Sequence, residues 1–228
     1  MTPNILPFWR AMLADPRRIG AIAPASRFLC DAIIDEVMSS RPGHVIELGA
    51  GTGAITRALF GQRAQFDSLA AVERSPHLAQ LLAHRFPGLA VHPVCASRLD
   101  TLLKGPLDTI SVVSSLPFRS LPQGDRKQIE QAILRLSRHS RTFRFIQYSY
   151  LGRLPFPVDS THPLQWTRRR TVLGNLPPAT VWGARPPSPM SPKSTPAPHR
   201  QQAFRARLAL FAAALCPLAI WQIGRAHV

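Results

Sequence analysis

Cysteine is nearly absent from this 228-residue chain: Cys30, Cys95 and Cys216 stand far apart and form no CxxC pair. That excludes a disulfide scaffold and a clustered zinc site, and it fits a reducing compartment. The eight histidines show no metal-ligand spacing, so no metal is expected. Lysine is scarce as well, with only Lys104, Lys127 and Lys193 among 28 basic residues. A chain rich in arginine, alanine and proline in this way reflects coding bias as readily as selection for a polyanion. A membrane-length apolar run is also lacking. Leu208–Trp221, broken by Pro217, would reach roughly 21 Å as a helix against a hydrocarbon core of ~30 Å.

Acid is the scarcest charge, 12 residues in all, giving a net charge of +16. The last acid is Asp159; residues 160–228 carry nine cations and no carboxylate, which leaves +7 for residues 1–159. Such a surface suits an anionic membrane face or a nucleic acid equally, because one Coulomb term attracts both.

The amino-terminal segment has no basic stretch ahead of an apolar run, so no signal peptide is expected. Ile5, Phe8, Trp9, Met12 and Leu13 instead mark one stripe of an amphipathic helix that Asp15-Pro16 closes. On its residues alone, that stripe fits a bilayer interface or an ordinary core. Ser26 is placed to cap a helix running to about Ser39. From Arg41 strands and helices alternate. Strands are expected at Val45–Leu48, Leu69–Val72, Leu89–Val94, Thr109–Val113 and Phe143–Tyr150. Helices are expected at Thr52–Phe60, after Ser75-Pro76 with Leu78, Leu81 and Leu82 on one side, and around Ile129, Ile133 and Leu136. Arg170–Leu173 and Thr180–Trp182, joined through Asn175-Leu-Pro-Pro178, read as an antiparallel hairpin. The rhythm predicts an α/β fold with a mostly parallel sheet and helices on both faces.

The chain is expected to comprise three regions: 1–40 with amino-terminal, substrate-side helices, 41–185 with the alternating domain, and 186–228 with a Pro-rich linker and apolar tail. The final six residues, Ile-Gly-Arg-Ala-His-Val, resemble the translation of a sequencing adapter. The authentic carboxyl terminus is therefore expected to differ, and no function is assigned to the tail.

Val45-Ile-Glu-Leu-Gly-Ala-Gly-Thr-Gly53 carries the chemistry. A strand feeds a glycine turn and then a helix, and glycine lets the main chain approach a ligand closely. Gly49, Gly51 and Ala54 also satisfy the G-x-G-x-x-[GA] of dinucleotide-binding folds. Glu47 separates the two readings. A carboxylate two residues before the turn accepts hydrogen bonds from a cation and repels a pyrophosphate. Glu73 ends the next strand, where it suits ribose hydroxyls in either case.

E-L-G-A-G-T-G resembles the glycine motif of class I methyltransferases that use S-adenosylmethionine almost letter for letter. The resemblance implies a Rossmann-like fold and that cofactor. Glu47 would orient its methionine end, Gly49, Ala50, Gly51, Thr52 and Gly53 would line it, and Glu73 would hold its ribose. Ala96, Ser97 and Ser114 complete the implied cofactor set. Val94-Cys-Ala-Ser97 stands where that family commonly has an acid.

Four flanking segments, Arg18–Ser26, Ser114-Ser-Leu-Pro-Phe118, Gln147-Tyr-Ser-Tyr150 and Asn175–Trp182, taken in order, resemble bacterial phospholipid N-methyltransferases over about residues 5–185. That family methylates phosphatidylethanolamine towards phosphatidylcholine. The likeness implies a cytoplasmic enzyme held peripherally at the inner membrane face, with Phe8 and Trp9 as an interfacial anchor. Its expected partner is an anionic membrane surface and phospholipid rather than nucleic acid; oligomeric state stays open. Ser115 and Tyr148 are the candidate catalytic residues, with a tyrosine or water taking the amine proton. Arg168, Arg169 and Arg170 fit either lipid phosphate or a solvated charge run. Two alternatives stay open: an RNA adenine-N6 methyltransferase of the same fold, with Phe118 stacking the base, and a non-catalytic binding protein.

Overall fold

A computed structural model describes residues 25–41, 43–102, 107–150, 152–155 and 163–186. The expected stripe at residues 5–13, the Pro-rich stretch from residue 187 onward and the apolar tail lie outside the described residues. The chain divides into two units, Met1–Pro187 and Ser188–Val228, and all of the described residues lie in the first.

Helix α1 (Arg27–Met38) begins where expected, because the Ser26 hydroxyl accepts the Leu29 N–H. Leu29, Ile33 and Val37 fall on one stripe and are wholly buried. Strand β1 (His44–Leu48) comes next, then α2 (Ala54–Gly61), β2 (Ser68–Val72), α3 (Pro76–Arg85), β3 (Ala90–His92), β4 (Leu107–Ser114), α4 (Gln123–Arg138) and β5 (Ser140–Tyr150). The hairpin β6 (Gln165–Val172) and β7 (Ala179–Arg185) completes one seven-stranded sheet, ordered β3-β2-β1-β4-β5-β7-β6. Strands β1 to β5 run parallel, and β7 lies antiparallel between β5 and β6. The expected mostly parallel sheet with a carboxyl-terminal antiparallel hairpin is the observed one.

Two details differ from expectation. Leu81 leaves the α3 stripe and is 43% exposed, while Ala79 and Leu82 are buried. The hairpin strands are also longer than their apolar residues suggest. Five consecutive residues of β6, Thr167 to Thr171, are all polar and exposed on the edge strand of the sheet, so no alternation marks them.

The sheet has a core on each face. Leu29, Ile33, Val45, Val113, Ile146 and Val181 pack beneath α1 and α2. Ile46, Val112, Phe145, Ile129 and Ile133 pack beneath α4. There Phe145 meets Phe118 and Trp166 edge-on, with centroids 6.2 and 5.9 Å apart.

Helix α1 is tied to the hairpin by charge as well as by packing. The buried Glu36 carboxylate accepts from Arg144 of β5 at 2.8 Å and from Arg169 of β6 at 2.7 Å. Arg170 pairs with Asp35 at 2.9 Å, and Arg168 donates to the Thr171 hydroxyl. The three arginines of β6 therefore each have a partner within the chain, Arg169 on the buried Glu36 and the exposed Arg168 and Arg170 on surface groups. No helix among the described residues is long and apolar enough to cross a membrane, and no group of three metal-ligating side chains occurs among them.

Candidate active site

The carboxyl ends of β1, β2, β4 and β5 lie side by side, because Leu48 pairs with Val72 and Ser114, and Ser114 with Gln147. Ligands of open α/β sheets bind at this edge. The chain leaves β1 through three glycines with φ of +72°, +56° and +87° at Gly49, Gly51 and Gly53, a region that strains a residue bearing a side chain. The Gly49 N–H donates to the Val72 carbonyl at 2.8 Å, and the Gly53 N–H to the Ala50 carbonyl at 2.9 Å.

The three glycines serve different needs. A Cβ at Gly49 would stand 2.7 Å from Leu116, and one at Gly53 would stand 2.9 Å from Leu82 and Phe86. Those two positions are glycine partly because protein already fills the space. A Cβ at Gly51 would meet only the Gly49 carbonyl, at 3.9 Å. Of the three, only Gly51 has open space above it among the described residues, as a cradle for a ligand requires. Ala50 is buried, whereas Thr52 is exposed and its carbonyl accepts Arg85 at 3.0 Å.

Glu73, at the end of β2, accepts the Gly51 N–H on one oxygen and the Ser75 N–H on the other, both at 2.9 Å. It thus fixes the glycine turn while each oxygen keeps a second lone pair. Glu47 behaves differently. It is 1% exposed, and neither carboxylate oxygen has a hydrogen-bond partner among the described residues. Burial pushes its carboxyl up to about 7; the Thr56 hydroxyl and N–H pull the other way, and the Glu73 charge adds to the rise. Thr56 faces it without reaching hydrogen-bond geometry, since the Thr56 hydroxyl is itself unpartnered. A buried acceptor left in this state costs free energy unless a ligand completes it.

Side-chain alternation puts Glu47, Tyr148 and Tyr150 on the α1–α2 face of the sheet. The two tyrosine rings meet edge-on at 5.8 Å. Burial is the largest cause raising the Tyr148 phenol, the Tyr150 charge adds to it, and the Ser115 hydroxyl opposes it. Tyr150 is raised by burial too. Both phenols are thus held in their protonated form more firmly than a free tyrosine. Ser115 is half-buried and donates its N–H to the Leu48 carbonyl at 2.9 Å. Ser114 is fully buried and its hydroxyl accepts the Leu116 N–H, so that side chain serves the turn. Ala96 is buried in the α4-side core, and Ser97 is half-buried beside it in a short 3-10 helix.

Two further residues open segments that the sequence singles out, though it gives neither side chain a role of its own. Gln147 is buried; its amide donates to the Leu116 carbonyl at 2.8 Å, while its own carbonyl has no partner. A further signal in the sequence is a polar residue at a core-facing strand position next to Phe145. Asn175 accepts the Ser26 N–H at 3.0 Å and donates to the Pro177 carbonyl at 2.8 Å. Through Asn175, Gln147 and the Trp182 bond to Ser149 at 2.8 Å, the described parts of the four flanking segments converge on this one edge.

No family model matches the chain. It is similar to an ornithine lipid N-methyltransferase of Singulisphaera acidiphila, with 29% identity over 133 residues, covering 56% of this chain and 69% of that protein. Among solved structures it is similar to a proposed O-methyltransferase from Klebsiella pneumoniae, at 14% identity and TM-score 0.54, over 80% of this chain and 90% of that one. The 23S rRNA methyltransferase ErmE gives TM-score 0.48 at 15% identity, over 84% and 79% of the two chains. The fold is the Rossmann-like fold of class I methyltransferases. The residues present fit S-adenosylmethionine, the cofactor that the sequence resemblance implies. An unpartnered buried carboxylate awaits an ammonium, the space above Gly51 is open, and Glu73 has lone pairs to spare.

Proposed function

We propose that this protein is an N-methyltransferase that moves methyl groups from S-adenosylmethionine to the amine of phosphatidylethanolamine, or of its methylated derivatives, at a membrane surface. The observation that carries methyl transfer is Glu47: a buried carboxylate, both oxygens unpartnered, behind a glycine turn. A lipid acceptor is supported by the likeness to a lipid N-methyltransferase.

When bound, the cofactor would supply an electrophilic methyl group on a sulfonium, open to in-line attack by an amine with a neutral thioether as leaving group. Glu47 would hold the ammonium end, Glu73 the ribose, and the main chain at Gly51 the space between. The acceptor nitrogen must present a free lone pair, so its ammonium form gives a proton to water before it accepts the methyl group. Ser115 and Tyr148 orient that nitrogen, the phenol as a protonated hydrogen-bonding group and a ring face. Most of the acceleration is alignment and exclusion of water.

An RNA acceptor would need an aromatic presented to a flipped base. Phe118 is 1% exposed and packs edge-on against Phe145, so it is withheld from that task. Incubation with methyl-labelled S-adenosylmethionine and, in separate reactions, phosphatidylethanolamine vesicles, ornithine-lipid vesicles and ribosomal RNA tests the reading. Label is expected in phosphatidylethanolamine. Label confined to ornithine lipid would move the acceptor to another amine lipid, label in RNA would replace the reading, and label nowhere would favour a binding protein.

A further inference from the structure

Four large hydrophobic side chains are exposed among the described residues: Phe28 at 63%, Leu81 at 43%, Leu173 at 78% and Leu176 at 68%. Three of the four belong to one place. Phe28 lies in the first turn of α1; Leu173 and Leu176 lie in the turn between β6 and β7. The two turns are bound together. Asn175 accepts the Ser26 N–H, and the Phe28 ring lies so close over Gly174 that a Cβ there would stand 2.7 Å from it. Residues this apolar are rarely left clustered at a surface without a partner.

The patch has a cationic neighbour. Arg27, adjacent to Phe28 in the chain, also lines a groove of about 540 Å3 with Arg57 and Arg85. Asp31 is the one carboxylate among the residues lining that groove, and it meets Arg27 only at 3.8 Å with both side chains largely in water. The groove reaches the glycine turn through Thr52 and Ala54. The hairpin turn leads straight into Ala179, which pairs with Tyr150 beside the acceptor-side residues. An apolar tip, a groove lined by three arginines and the carboxyl edge of the sheet thus adjoin one another.

We propose that the first turn of α1 and the β6–β7 turn form a docking face for an anionic bilayer. Phe28, Leu173 and Leu176 enter the interface, and Arg27, Arg57 and Arg85 face the headgroup phosphates. The occupant is argued from charge and polarity together: guanidiniums beside aliphatic tips match the boundary between anionic headgroups and acyl chains. This face is distinct from the stripe at residues 5–13, and the inference rests on the lipid reading of the site. It would deliver a headgroup amine to the edge where Ser115 and Tyr148 lie.

Sedimentation of the full chain with phosphatidylglycerol–phosphatidylcholine vesicles, and with phosphatidylcholine alone, tests it. Leu173→Ser with Leu176→Ser should weaken binding to both vesicle types by about tenfold or more, with S-adenosylmethionine affinity unchanged. Arg27→Gln with Arg57→Gln should remove the preference for phosphatidylglycerol. Wild-type sedimentation by both variants, or no sedimentation of the wild type, would overturn the proposal. A lowered melting temperature in the leucine variant with vesicle binding intact would overturn it too, by showing the patch is covered by the chain itself. Methylation of lipid dispersed in detergent separates this from the reading it rests on. If the wild type labels no dispersed lipid, the reading fails. If it labels dispersed lipid and the leucine variant labels vesicle lipid at the wild-type rate, only the docking face fails.

Discussion

Glu36 and Glu47 are buried to a similar degree in two regions of the same molecule, yet their surroundings are opposite. Glu36, between α1 and the hairpin, is saturated by Arg144 and Arg169. Glu47, behind the glycine turn, has no partner for either oxygen. A buried carboxylate costs several kcal/mol unless it is paired, so the first arrangement holds elements together and the second spends stability to keep an acceptor available. Burial alone does not distinguish structure from function here. The presence or absence of a partner does.

The contrast breaks most visibly at Glu36. Glu36→Ala strands two guanidiniums that are only partly exposed and should cost about 3 kcal/mol of unfolding free energy. Urea denaturation measures this, and S-adenosylmethionine affinity should persist wherever the variant is folded. Glu47→Gln should do the reverse: the apo protein is as stable or more so, while the affinity falls roughly 10- to 100-fold through loss of a charge-assisted bond. Glu73→Ala lies between, because that side chain serves both purposes. Loss of its bonds to Gly51 and Ser75 should lower stability by about 1–2 kcal/mol and the affinity by about tenfold, read by denaturation and calorimetry on one sample.

Acidity sharpens the same comparison with a smaller effect. The Glu47 carboxyl titrates higher folded than its ordinary value of 4.5, so it favours the folded apo protein below about 4.5, and that contribution is lost as pH rises through about 7. Binding of a cationic ligand runs the opposite way, since only the ionised carboxylate attracts it. Between pH 8 and pH 6 the affinity should fall by up to about tenfold, and in Glu47→Gln that slope should flatten.

Much of this is legible in the sequence, and the reasons are local. The alternation of apolar runs with capped helices specifies the parallel sheet; Ser26 and Ser75 cap where their spacing places them. Glu47 and Glu73 stand out by their offset to the glycines. That Glu47 stands bare while Glu73 is bonded cannot be read there, because Ser75 and the Gly51 N–H reach Glu73 only through the turn's three-dimensional path. The long hairpin is obscured for a different reason, as an exposed edge strand carries little hydrophobic signal. The bonds of Gln147 and Asn175 are hidden although their segments stand out, because contacts across 31 and 149 residues leave no periodic trace.

In the proposed function, Glu47 stays unpaired to receive the cofactor's ammonium. Calorimetric titration of S-adenosylmethionine into the wild type and Glu47→Gln at pH 6 and pH 8 tests it most directly. A strong, pH-dependent affinity in the wild type and a weak, pH-independent one in the variant are expected. Equal affinity in the two proteins at both pH values would contradict the account.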